Sequence, residues 1–215
     1  MVKITKFIFS PFQENTYLIF DPISLEAAVI DPGCASPAEE KELTDFIEEK
    51  DFKIKYLINT HCHIDHIFGN AYVKEKYDPL FLAPEKDLFL FEIMKEQSES
   101  FGVKLKESPQ PDKLIDESIP VTLGEFEGRF LFTPGHSPGS HCLFFKDEKK
   151  CFTGDVLFKE GIGRTDLWQG NYDQLINSIE EKLYSLPDDM EIFPGHGGKS
   201  SIGYEKKYNP FVSQT

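Results

Sequence analysis

The sequence has no long uninterrupted apolar run, and its first ten residues interleave Val2 and Ile4 with polar side chains instead of pairing a basic start with an apolar stretch. A spanning helix needs about 20 consecutive apolar residues, so neither a membrane span nor a secretory signal is expected, and the chain reads as cytoplasmic with no membrane partner. Cysteine is scarce: Cys34, Cys62, Cys142 and Cys151 stand far apart, with no C-x-x-C pair. That spacing argues against a disulfide framework and a thiolate zinc site, and leaves the cysteines mostly as small buried hydrophobes. Basic residues are also short, 23 Lys and Arg against 37 Asp and Glu, for a formal charge of -14. So acidic a surface repels phosphate backbones and anionic lipid, which argues against nucleic acid as the main partner. No linker, low-complexity run or composition break divides the chain, so a single domain over residues 1–215 is expected.

Large side chains are plentiful, with 20 Phe and 8 Tyr to fill a core between packed layers. The first thirty residues read as three short strands, Val2 to Phe9, Asn15 to Phe20 and Glu26 to Ile30, in an antiparallel opening. Ser36-Pro37-Ala38-Glu39 then supplies an N-cap, a proline at the first helical position and a glutamate to close the box, for a helix to about Lys50. A strand at Lys53 to Asn59 follows, with helices from about His66 to Tyr77 and Pro84 to Phe101 and a loop from Ser108 to Asp112. The second half repeats the theme with strands at Val121 to Leu123, Arg129 to Thr133, His141 to Phe145 and Lys150 to Phe152, a helix at Tyr172 to Tyr184 and a strand at Met190 to Phe193. Hairpins followed by strand–helix alternation require mixed sheets, and two such sheets between outer helices would bury every apolar face. The helix at Pro84 to Phe101 is read as a packed outer helix in preference to a cap over a pocket.

Five of the six histidines share one context: an apolar strand, one or more small or turn residues, then the histidine. The segments are L-I-N-T-H-C-H-I-D-H, L-F-T-P-G-H and I-F-P-G-H; C-F-T-G-D repeats the pattern with Asp155 in the histidine's place. Strand ends of adjoining sheets can converge where ligands bind. In an extended loop His61, His63 and Asp65 project one way while Cys62 and Ile64 point away, and His66, opening the next helix, can turn toward a second centre. Neutral imidazole with carboxylate suits zinc, iron or manganese. A lone loop histidine is usually a surface or satisfied core residue, and His141 is read so. The six-residue cluster has no packing rationale, because burying it unpaired is costly.

His61-Cys62-His63-Ile64-Asp65-His66 resembles the H-x-H-x-D-H signature of the metallo-β-lactamase fold superfamily, and Asp31, T-P-G-H-S-P-G, F-T-G-D and F-P-G-H match its other motifs in order. The resemblance implies a four-layer αββα sandwich of the α/β class. It also implies two divalent metal ions, zinc first and iron or manganese as alternatives. His61, His63 and His136 would hold one ion, Asp65, His66 and His196 the other, and Asp155 would bridge them. Asp31 would pack behind the ligands and orient them.

T-P-G-H-S-P-G-S and G-D-V-L-F followed by G-I-G-R-T-D are similar to the glyoxalase II (hydroxyacylglutathione hydrolase) group. This likeness implies a thioesterase acting on a small acyl thioester through a metal-bridging hydroxide, with Asp65 guiding the proton and Asp155 completing the catalytic pair. Members with a basic, glutathione-gripping helical extension differ from this chain, where G-G-K-S-S-I-G-Y-E-K-K-Y-N-P-F follows His196, so the thiol carrier stays open. G-R-T-D is also similar to a segment of mononuclear iron persulfide dioxygenases, in which case Arg164 would bind a substrate carboxylate; as a plain surface residue it would pair with Asp166. A lactonase or β-lactamase-like hydrolase is a further alternative. Gly161, Gly163 and Gly170 suggest a flexible loop at the substrate entrance.

Overall fold

The structure is a computed structural model and describes residues 1–101 and 106–212. Its first sheet holds β1 (Lys3–Phe9), β2 (Glu14–Phe20), β3 (Glu26–Ile30), β4 (Lys53–Ile58), β5 (Leu80–Ala83) and β6 (Lys113–Leu114), in that order. The first three strands are antiparallel and the rest add in parallel, so the sheet is mixed. The second sheet runs β14 (Ser200–Ser201), β13 (Glu191–Pro194), β10 (Lys150–Gly154), β9 (His141–Phe145), β8 (Phe126–Phe132) and β7 (Val121–Leu123), with only β10 and β13 parallel.

Side-chain parity assigns every strand residue to a layer. Tyr17, Ile19, Ala28, Ile30 and Ile58 of the first sheet meet Phe130, Leu143, Phe145 and Phe152 of the second. Their neighbours Leu18, Ala27, Val29 and Leu57 point the other way, onto α1 (Pro37–Glu49), α3 (Asn70–Tyr77) and α4 (Phe89–Phe101) through Leu43, Ile47, Val73, Leu90 and Met94. Cys142, Cys151 and Ile192 likewise turn from the second sheet onto α5 (Tyr172–Asn177) and α6 (Ile202–Tyr208) through Leu175 and Ile202. Helices therefore cover both outer faces, and the αββα sandwich expected from the sequence is the fold. All four cysteines are buried and free. Among the described residues no helix is long and apolar enough to cross a membrane.

The expected N-cap is present: Ser36 Oγ accepts from the Glu39 N–H, and Glu39 reaches back to the Ala35 N–H at 2.9 Å. Elsewhere tertiary contacts override local pattern. The helix expected from His66 starts at Ile64 and divides into α2 (Ile64–Ile67) and α3. Gly69 lies at the break, donating its N–H to the Pro32 carbonyl at 2.7 Å, and a Cβ there would run into Cys34 Sγ. The helix expected from Pro84 begins as a 3-10 turn, Glu85–Asp87, because Asp87 turns inward. The helix at Tyr172 gives way to a π turn over Ser178–Leu183, where Ser178 Oγ donates to the Pro134 carbonyl at 2.7 Å. The glycine-rich entrance loop contains a small hairpin of β11 (Leu157–Phe158) and β12 (Gly161–Ile162). β5, β6, β14 and α6 were not expected; most are two to four residues long, too short for periodicity to register.

Both sheets send their functional strands to one edge. β3 and β4 are parallel in the first sheet; in the second, β8 and β10 are each antiparallel to β9, and β13 is parallel to β10. The C-terminal ends of all five strands thus open on the same side. Hydrogen bonds stitch the sheets there, from Asn15 N–H to Gly195 O at 2.7 Å and from His141 N–H to Thr60 O at 2.9 Å. Phe152, packed edge-on to Tyr17 and stacked on Phe193, is central to the interlayer core. Phe152→Ala is expected to destabilise the chain by about 3–5 kcal/mol, measured by urea unfolding of the metal-stripped protein.

Candidate metal centre

Asp31 ends β3 with a left-handed backbone, φ 48°, which Asp tolerates better than most residues. Its carboxylate accepts from the Thr60 N–H at 2.7 Å and the Thr60 hydroxyl at 2.6 Å, fixing the loop that leaves β4, and lies 3.2 Å from His66 Nδ1. Asn59 secures the other side of the loop by donating to the His66 carbonyl at 3.1 Å.

The structure brings together all seven residues expected to form the cluster. His61, His63 and His136 offer ring nitrogens that all lie within 4.8 Å of one another, and Asp65, His66 and His196 form a second such set. Asp155, at the end of β10, stands between them. Its Oδ1 is 3.5 Å from His66 Nε2, and its Oδ2 is 3.6 Å from both His136 Nε2 and His196 Nε2. Asp65 Oδ2 lies 3.2 Å from His196 Nε2.

The donor set fits divalent cations. His136 Nδ1–H donates to the Arg164 carbonyl at 2.7 Å, leaving the Nε2 lone pair free. The Thr60 hydroxyl, already donating to Asp31, accepts from His61 Nδ1–H at 3.1 Å, which frees the His61 Nε2 lone pair as well. These two Nε2 atoms face each other across 3.3 Å, with His63 Nδ1 2.8 Å from His136 Nε2. His63 Nε2, His66 Nε2 and Asp155 Oδ1 are buried without a hydrogen-bond partner among the described residues.

The electrostatics agree. Burial pushes His61 well below the usual imidazole range, and burial with the neighbouring His136 takes His63 down to about 3. Burial alone would raise Asp155, but His66, His136 and His196 outweigh it and hold the carboxyl below its ordinary value. Burial disfavours the charged form of His66, yet Asp65 and Asp155 raise it overall. Neutral imidazoles at His61, His63 and His136 and an ionised Asp155 are the protonation states that bind a metal, whereas at His66 and His196, both raised beside Asp65 and Asp155, an arriving cation would displace a proton.

A cavity of about 490 Å³ opens over the cluster, walled by Phe12, Ile64, Phe158, Leu167 and Trp168. The Trp168 ring lies 5.9 Å from that of His63. Arg164 reaches the rim, where its exposed guanidinium makes a bidentate pair with Asp166 at 2.7 and 2.8 Å. His141 stays out of the cluster, its Nδ1–H bonded to the Gly139 carbonyl at 2.6 Å. α4 packs through Leu90 and Met94, as expected, but also lends Gln97 to the cavity wall, with both amide atoms buried and without a partner among the described residues.

Sequence reasoning missed Gln97, Phe12, Trp168, Asp87 and Glu14, none of which belongs to a histidine motif. Glu14 is fully buried, takes the Thr16 hydroxyl at 2.8 Å and stands 3.9 Å from His66 Nδ1, with burial pushing its carboxyl well above the usual range. The one available signal for Glu14 was its place beside Asn15 at the start of a buried strand.

Known proteins share this architecture over nearly the whole chain. Hydroxyacylglutathione hydrolase GloC of Haemophilus influenzae is 42% identical over 205 residues, 94% of each protein. The human mitochondrial persulfide dioxygenase ETHE1 is 31% identical over 91% of this chain and 70% of its own length. Among solved structures, the BLEG-1 B3 metallo-beta-lactamase superposes with a TM-score of 0.88 at 30% identity over 100% of both chains. TTHA1623 in a di-iron-bound form gives 0.86 at 29% identity, over 97% of this chain and 100% of that one. The model of the metallo-beta-lactamase superfamily matches residues 9–196, from the end of β1 to the last histidine of the cluster, and the chain belongs to that superfamily.

Proposed function

We propose that the chain is a cytoplasmic, binuclear metallo-hydrolase that cleaves small acyl thioesters, with neither nucleic acid nor membrane as partner. The observation that carries this reading is Asp155, whose two oxygens reach toward both triads at once. His61, His63 and His136 would hold one divalent ion, Asp65, His66 and His196 the second, and Asp155 both. Zinc is the first choice, and iron or manganese suit the same donors. Ions held there would lower the pKa of water toward neutrality and polarise a carbonyl oxygen.

The chain's own residues supply the rest. The Arg164 carbonyl holds the His136 ring, and Asp31 stands against His66, so the donors are oriented before any substrate arrives. Asp65 lines the cavity, and its carboxylate would take the proton that water gives up as it adds to the thioester carbonyl. The C–S bond breaks with its electron pair on sulfur, and the departing thiolate needs little protonation because thiol pKa values lie near 8.5. Phe12, Ile64, Phe158 and Trp168 give the cavity an apolar wall that excludes water and suits an acyl or thiol arm. The 42% identity to a hydroxyacylglutathione hydrolase supports thioester chemistry over other hydrolyses.

A second reading, oxidation of a persulfide by dioxygen at a single iron, draws on the 31% identity to ETHE1 and on Arg164 at the cavity rim. One set of measurements separates the two. Purified protein should contain close to two transition-metal ions per chain and hydrolyse simple thioesters. Asp155→Ala should lower kcat/KM about 100-fold or more, because even partners that only orient metal ligands contribute roughly 10–100-fold. Chelation should abolish activity, and full thioesterase activity in the stripped sample would refute the proposal. Iron-loaded protein given glutathione persulfide in an oxygen-electrode assay is expected to consume no dioxygen; rapid consumption would favour the second reading.

A further inference from the structure

Asp87 lies outside the histidine cluster, in the 3-10 turn ahead of α4, and is fully buried. Its two oxygens accept three hydrogen bonds. Oδ2 takes the Cys62 backbone N–H at 3.1 Å and the Ser137 hydroxyl at 2.7 Å, and Oδ1 takes the Gly139 backbone N–H at 2.6 Å. Cys62 sits between His61 and His63, and Ser137 follows His136. One carboxylate therefore ties together the two loops that carry every imidazole of the first triad. The approach is so close that a Cβ at position 139 would collide with the Asp87 carboxylate.

A purely structural role accounts poorly for an acid here. Among the described residues Asp87 has no ion-pair partner, and burial pushes its carboxyl up to about 6 against the pull of its hydrogen bonds. A buried carboxylate without a counter-ion is costly, whereas several acceptor sites converging on two separate loops are something only a carboxylate supplies. Asp31 makes comparable bonds to the β4 loop but faces His66, in the other triad. Asp31 reaches the first triad only through Thr60 and the β4 loop, whereas Asp87 joins that loop to the one that carries His136.

We propose that Asp87 is a positioning residue for the metal ion held by His61, His63 and His136, and not for the ion held by Asp65, His66 and His196. The inference rests on the metal-binding reading above. Fixing the Cys62 N–H and the Ser137 hydroxyl to one point sets the separation of the two loops, and hence the spacing of the three ring nitrogens. Asp87→Asn keeps the volume but turns an NH₂ toward groups that are themselves donors, so at least one of the three bonds is lost.

The test is zinc titration of the chelator-stripped full-length chain in competition with a chromophoric chelator. Wild-type protein should take up two equivalents. In Asp87→Asn one equivalent should weaken roughly 10–100-fold, the range for partners that orient metal ligands, and the other should not change. In a His196→Ala background, where the first triad is complete, Asp87→Asn should weaken the remaining site by the same factor; in a His63→Ala background it should have no effect. Unchanged affinity throughout, or equal weakening of both equivalents in step with a lower Tm of the metal-free chain, would overturn the proposal. Should Asp87→Asn fail to fold, Ser137→Ala removes a single donor and must show the same one-sided shift, and a two-sided or absent shift overturns the proposal too. Wild-type protein that binds no zinc would refute the metal reading itself, an outcome distinct from equal affinity in parent and variant.

Discussion

Two imidazole lone pairs that face each other across 3.3 Å repel unless a positive charge lies between them, and that constraint organises the structure. Protons cannot supply the charge at the first triad, because burial holds His61 and His63 in the neutral state. A divalent cation held there would, and it would also satisfy the buried atoms of His63, His66 and Asp155 that have no partner among the described residues. Such a set of donors is stable only on a frame stiff enough to hold them together before the ion binds. The frame is the pair of sheets. Their interlayer core of Phe130, Phe145, Phe152 and Tyr17 fixes the distance between strands whose ends carry the donors.

Convergence of this kind is a consequence of parity and direction. Five strands run the same way, so residues just past their C-terminal ends meet on one edge without any long excursion of the chain. Small and turn residues at those ends, in T-P-G-H, T-G-D and F-P-G-H, let the backbone turn sharply and present the side chain at once. The inter-sheet bonds from Asn15 to Gly195 and from His141 to Thr60 then keep the two edges from sliding. Packing energy is spread over the whole interlayer surface, while the cluster occupies only its rim.

The fold class and the cluster were legible in the sequence because both are written in local pattern. Short apolar runs bounded by turn residues mark strands such as β3 and β4, Ser36-Pro37 marks a helix start, and the histidine segments repeat one strand–turn–ligand pattern. What escaped was set by contacts distant in sequence. The break at Gly69 depends on Cys34 and Pro32, and the π turn at Ser178 on the Pro134 carbonyl. Asp87 in P-E-K-D-L reads as an exposed first-turn acid; only the fold brings Cys62 and Ser137 to it. Gln97 was hidden differently, since the apolar stripe of its helix shows which face packs but not that the stripe continues over a cavity.

The two triads are unequal in exposure, and the difference has a chemical consequence. His61, His63 and His136 are all buried, whereas in the second set His66 is buried but the side chains of His196 and Asp65 are 27% and 14% exposed. A molecule entering past Trp168 and Phe158 therefore meets Asp65 and His196 across an open face, while the first triad presents only part of two rings to the cavity. Rearrangement of donors is easiest where side chains are least packed, so any exchange of ligands around a bound cation would fall to the second set. The first set, tied through its loops, keeps its geometry. An open half beside a closed half is the arrangement a hydrolytic centre needs, because one side must admit water and release product while the other holds still.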